Sequence, residues 1–77
     1  MLSGKRFKLE TSTLAVETVD GKGVTVTIPA EAMIKVVSGP RQGDRMMDIL
    51  WNGRVVRMYA VDVEERGTEI EEKGFSK

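Results

Sequence analysis

The chain contains no cysteine and no histidine. Disulfides are therefore excluded as a source of stability, and so are metal centres built on thiolate or imidazole. Nucleophilic catalysis that relies on a cysteine or on a histidine base is excluded for the same reason. Proline is scarce, at two residues, and the aromatic residues are limited to Phe7, Trp51, Tyr59 and Phe75. No apolar run approaches the ~20 residues that a membrane-spanning helix needs, and "MLSGKRFKLE" lacks the apolar stretch of a secretory signal. An excess of one charge is lacking as well, because twelve Lys/Arg balance twelve Asp/Glu. The balance is uneven along the chain: nine basic and six acidic residues fall in residues 1–61, three basic and six acidic in residues 62–77. Neither part is charged enough to name nucleic acid or a membrane as partner. A chain of this kind suits a reducing compartment, and the expected address is cytoplasmic.

What is present reads as short strands and turns. Seventy-seven residues make a single domain, expected over residues 1–77 with a flexible tail at 71–77. A domain of this size buries only about 60% of the surface of its unfolded chain, so it needs a well-closed sheet or a partner chain. There is no internal repeat and no low-complexity tract. "RFKLET" alternates Phe7 and Leu9 with polar residues, as a half-buried strand does. "LAVETV", the turn cluster Asp20-Gly21-Lys22-Gly23 and "VTVTI" form a first hairpin, with Val24, Val26 and Ile28 on one face and Thr25 and Thr27 on the other. Pro29 cannot donate to a ladder and ends that strand. Residues 30–37, "AEAMIKVV", are open between strand and helix: Ala, Glu and Met favour helix, whereas the β-branched Ile34, Val36 and Val37 favour strand. A loop, "SGPRQGD", follows.

The clearest signal is "MMDILWNGRVVRMY", in which Asn52-Gly53 predicts a two-residue hairpin turn between Met46–Trp51 and Arg54–Val61. Such a turn sets the register. Trp51 faces Arg54, Leu50 faces Val55, Ile49 faces Val56, Asp48 faces Arg57, Met47 faces Met58 and Met46 faces Tyr59. Asp48 opposite Arg57 is a favourable charge pair and marks the solvent side. Met47, Ile49, Val56 and Met58 then mark the core, and Trp51 beside Arg54 invites a cation–π contact. Met46, Leu50, Val55 and Tyr59 are left on the solvent side. Either closure of a bent sheet covers them or they meet a partner, a second copy of the chain included. After the hairpin, the acidic "DVEERGTEIEE" predicts a tight turn or short helix near residues 62–67 and a last strand at Thr68–Ile70.

These segments resemble bacterial Src-homology-3-like small barrels. The resemblance rests on "TIPAEAMIKVVSG…MMDILWNGRVVRMYAVDVEER" and covers residues 24–70. Its layout is a strand and glycine at Ile34–Gly39, a loop at Pro40–Arg45, the hairpin at Met46–Val61, an acidic turn at Asp62–Arg66 and a closing strand at Thr68–Ile70. "VVSGP", "DILWNGR", "RMYAVD" and "ERG" are also similar to stretches of short bacterial proteins that carry no assigned function. The resemblance implies a fold: an all-β, mostly antiparallel small barrel of five to six short strands. It does not imply proline-rich peptide recognition, because the aromatic cluster and the "ALYDY"-like segment of peptide-binding members are absent. Fold alone carries no function.

Chemistry is thinly represented. Ser3, Ser12, Ser38 and Ser76 stand in no catalytic motif, "DGKG" lacks the context of a phosphate-binding loop, and "DVEERGTEIEE" lacks the spacing of a calcium loop. No catalytic residue, cofactor site, metal site or small-molecule substrate is expected. The expected role is a non-catalytic protein-interaction or accessory module. Its contact residues are Met46, Leu50, Val55 and Tyr59, ringed by Arg45, Trp51, Arg54 and Arg57. The alternative is weak binding of single-stranded nucleic acid through Arg41, Arg45, Arg54 and Arg57, extended by Lys5, Arg6 and Lys8, with Trp51 or Tyr59 stacking on a base. Zero net charge weighs against it.

Overall fold

A computed structural model describes residues 3–40 and 45–70. The expected tail at residues 71–77 and Arg41 lie outside the described residues. The strands are β1 (Arg6–Leu9), β2 (Thr13–Val19), β3 (Lys22–Ile28), β4 (Met33–Ser38), β5 (Met46–Trp51), β6 (Arg54–Tyr59) and β7 (Gly67–Ile70). One short helix, α1 (Ala60–Arg66), joins β6 to β7. All pairings are antiparallel and form a single sheet in the order β3-β2-β6-β5-β4-β1-β7.

The architecture is a small all-β domain, as the residue pattern predicts, with seven strands among the described residues where five to six were expected. Among the described residues the sheet does not close, and β3 and β7 are its two free edges. "Barrel" therefore describes it only loosely. A single sheet with no second layer can bury one face only by curling over it, and this one does so. Its inner face carries the core of Phe7, Leu9, Ala15, Ile28, Ile34, Val36, Met47, Ile49, Val56 and Met58, and Val63 of α1 joins them. The Met47/Ile49/Val56/Met58 quartet lies in this core as expected.

Both tight hairpins turn on two residues. Asp20 and Gly21 have φ of 52° and 78°, and Asn52 and Gly53 have φ of 55° and 77°. Positive φ at both central positions is the signature of the hairpin turn whose twist matches that of the strands. The register of β5 with β6 is the one that Asn52-Gly53 dictates, from Trp51↔Arg54 to Met46↔Tyr59. In the first hairpin the turn is shorter than the four-residue cluster expected, because Lys22 and Gly23 already pair with Val19 and Thr18.

Residues 30–37 resolve in favour of strand. Ala30 and Glu31 form a turn, with Glu31 at φ 76°, and β4 begins at Met33. Ile34 and Val36 point into the core while Met33, Lys35 and Val37 face outward, which is strand periodicity. The strand after Asn52-Gly53 ends at Tyr59, two residues before the expected Val61. The chain turns helical at Ala60, whose N–H donates to the Arg45 carbonyl at 2.8 Å, and one turn later Val63 reaches the core. Gly67 follows at once, and its N–H caps the helix on the Val63 carbonyl. A Cβ at position 67 would stand 2.8 Å from that carbonyl oxygen and 3.4 Å from the Phe7 Cβ, so only glycine fits without a backbone shift.

Candidate interaction surface

Strand alternation sends two sets of residues to the outer face. Across β5 and β6 these are Met46, Asp48 and Leu50 with Val55, Arg57 and Tyr59. In the middle of this face Arg57 Nε lies 3.7 Å from Asp48 Oδ1. The Ser38 hydroxyl donates to Asp48 Oδ2 at 2.9 Å from the neighbouring strand. Charge and hydroxyl thus form a polar bar across β4, β5 and β6.

The apolar residues fall on either side of that bar. Leu50, Val55 and Tyr59 are 40%, 55% and 50% exposed, and Met46 is half-buried. Among the described residues, no strand or helix lies over them. The termini and the loop at 41–44, on which cover from within the chain would draw, lie outside the described residues. The four residues nevertheless do not form one patch. Met46 and Tyr59 lie on one side of the Asp48–Arg57 pair, and Leu50 and Val55 on the other.

Each half gains neighbours from strands that sequence reasoning did not assign to it. Met46 and Tyr59 join Leu14 and Val16 of β2 around a groove of about 230 Å³, with Arg57 and Asp62 at its rim. Leu14 is 62% exposed, the most exposed large apolar residue of the described chain. Asp62 Oδ1 lies 3.9 Å from Arg66 Nε, one helical turn on. Leu50 borders a second groove, of about 250 Å³, with Met33, Lys35 and Arg6. The signal for Leu14 and Val16 was present in Asp20-Gly21. Read as a two-residue turn, it sets Leu14 opposite Thr27 and Val16 opposite Thr25, on the outer face.

The three described arginines of the expected set, Arg45, Arg54 and Arg57, do not converge. Arg54 projects from the inner-face side of β6, two residues before Val56. Its guanidinium lies 5.2 Å from the centroid of the Trp51 ring, so the expected cation–π contact is present. Arg54 Nη1 also meets Glu17 Oε1 of β2 at 3.0 Å. Trp51 is half-buried and packs on the edge of the core. Arg57 belongs to the opposite face, and Arg45 precedes β5 at the sheet's end, its carbonyl bonded to Ala60. Of the lysines and arginine of the N-terminal region, Lys5 pairs with Glu69 at 3.5 Å and Lys8 with Glu31 at 3.0 Å. The hydrogen bond to Glu31, reinforced by its charge, holds the Lys8 ammonium above its usual pKa. Arg6 stands directly opposite Lys35 on the outer face.

The outer face therefore offers aliphatic, thioether and aromatic surface in two shallow grooves, divided by an ion pair. Among the described residues no group of three or more Asp or Glu side chains is placed to hold a metal ion. Among the same residues no helix is long and apolar enough to cross a membrane. Compared with known protein families, with curated proteins and with solved structures, the chain has no match.

Proposed function

We propose that this chain is a non-catalytic protein-binding module whose contact surface is the outer face of its sheet, centred on the groove of Leu14, Val16, Met46 and Tyr59. One observation carries the reading: large apolar side chains on both sides of the Asp48–Arg57 pair stay exposed on the outer face of a sheet that has curled to build its core on the other face. Complete burial of an aliphatic or aromatic side chain is worth about 1.5–3 kcal/mol relative to exposure, so a partner that covers Leu14 and Tyr59 gains appreciably. Arg57, Asp62 and Lys35 around the grooves supply the polar rim that gives orientation. Kinship with bacterial Src-homology-3-like small barrels and a cytoplasmic address belong to the same proposal. The succession of β4, the β5–β6 hairpin, the short helix α1 and β7 supports the kinship.

The test compares the wild-type chain, immobilised, with a Leu50→Ser/Tyr59→Ala variant and with Leu14→Ser, each challenged with a bacterial extract at low and high salt. The expected outcome is a retained protein that resists added salt and is lost from the variants, while their melting temperatures stay close to wild type. Retention that is unchanged in the variants refutes the reading. Unfolding of the variants refutes it too, because it makes this face part of the core. Retention of nucleic acid that falls steeply with salt favours the arginine-based alternative instead.

A further inference from the structure

The two free edges of the sheet are unlike. β7 has four residues, and its Glu69 is paired with Lys5. β3 has seven residues, "KGVTVTI", with no charge after Lys22, no proline and no break in its pairing with β2. Natural edge strands are usually blunted by shortness, charge, proline or a bulge, because a bare edge is a template for another strand. β7 is blunted in this way and β3 is not.

The hairpin turn determines which backbone groups of β3 are unsatisfied. A two-residue loop is closed by a hydrogen-bonded pair, here Val19 and Lys22, and hydrogen-bonded pairs then alternate along the ladder. Lys22, Val24, Val26 and Ile28 therefore direct their N–H and C=O groups at β2. Gly23, Thr25 and Thr27 direct theirs at the open edge. We propose that this edge pairs with β3 of a second copy of the chain, antiparallel about a two-fold axis through Thr25.

Self-complementarity singles out the occupant and the register. With Thr25 opposite Thr25 of the partner subunit, Gly23 and Thr27 each meet the other's counterpart, and all three edge residues of both copies are hydrogen-bonded. A slip of two residues in either direction loses one of these pairs. A slip of one sets inner faces against outer faces. In the chosen register no charge opposes a like charge. Thr25 pairs with Thr25, a favourable cross-strand combination, on the outer side. On the inner side Val24 lies beside Val26 of the partner subunit, and the same holds in reverse. This covers Val24, which is 42% exposed, and Val26, which is half-buried. The result is one continuous sheet with the two outer faces side by side. The inference does not depend on the outer face binding anything.

Light scattering over a hundredfold range of concentration tests it. The wild-type chain is expected to pass from the mass of one chain to twice that mass. Thr25→Lys and Thr25→Glu each set like charges against themselves across the two-fold axis and are expected to weaken association at least tenfold. An equimolar mixture of the two is expected to restore the doubled mass, which only a register with position 25 facing itself allows. Amide exchange gives a readout that needs no variant: the N–H groups of Gly23, Thr25 and Thr27 gain protection with concentration, while those of Val24 and Val26 are protected throughout. A wild-type chain that stays monomeric overturns the proposal. So do variants that associate as tightly as wild type, or a dimer lost with Leu50→Ser/Tyr59→Ala and kept with Thr25→Lys.

Discussion

The β2–β3 hairpin turns on Asp20-Gly21 and the β5–β6 hairpin on Asn52-Gly53, with nearly the same backbone angles in both. Each carries alternating apolar residues on its inner side. In β5–β6 every inner residue away from the turn is buried: Met47, Ile49, Val56 and Met58. In β2–β3 burial fades toward the turn, from Ile28, fully buried, through Val26 to the exposed Val24 and Val19. The difference comes from the neighbours. β5–β6 is bordered on one side by β4 and on the other by β2, so the curled sheet wraps around its inner face. β2–β3 forms the sheet's lip. Its backbone ladder to the rest of the domain is the single pair Val16↔Arg57, supplemented by the Arg54–Glu17 ion pair. Two hairpins with alike turns and alike alternation thus yield a core element in one place and a half-solvated element in the other.

The largest test of this contrast substitutes one inner residue in each hairpin. Ile49→Ala is expected to cost about 2–5 kcal/mol, a large share of the stability of so small a domain. Val24→Ala, in dilute solution, is expected to cost less than about 1 kcal/mol, as exposed positions do. Urea unfolding midpoints of the two variants measure the gap, and equal losses would break the comparison. A smaller effect probes what the hairpins share. Asn52→Ala and Asp20→Ala each force alanine into the left-handed region, at about 1–2 kcal/mol. The two losses are expected to agree closely, because the turns are alike whatever surrounds them. The smallest effect concerns the tie between the hairpins. Arg54→Met removes the partly exposed ion pair with Glu17 and the stacking on Trp51, and is expected to cost about 1 kcal/mol or less. Its clearer signature is faster amide exchange in β2 with exchange in β5 unchanged.

Much of this fold was legible in local patterns, and the reasons are specific. The register of β5 with β6 followed from two residues, because a two-residue turn leaves the pairing no freedom. The core quartet and the Asp48–Arg57 pair came with it. The same logic applied to Asp20-Gly21 would have placed Leu14 and Val16 on the outer face. Counting Lys22 and Gly23 as turn residues concealed that register. The strand at residues 33–38 was ambiguous because Ala, Glu and Met precede Ile34; pairing with β1 and β5 decided it. The candidate surface was only half visible. Met46, Leu50, Val55 and Tyr59 could be named from the hairpin, but their division by the polar bar needed Ser38, and their grooves needed β2 and β4. Arg54 and Arg57, both named around that surface, sit on opposite faces of one strand, as the hairpin register already implied.

The sequence by itself determined the two turns, the alternation of each strand and therefore which residues share a face. These depend on φ preferences and on a period of two, both properties of neighbouring residues. Tertiary structure alone decided which of those faces is dry, which strand is left at an edge, and that Glu17 reaches Arg54 across 37 positions of the chain. Burial and edge status depend on which strands lie alongside, and that order is set by how the whole sheet curls over one small core.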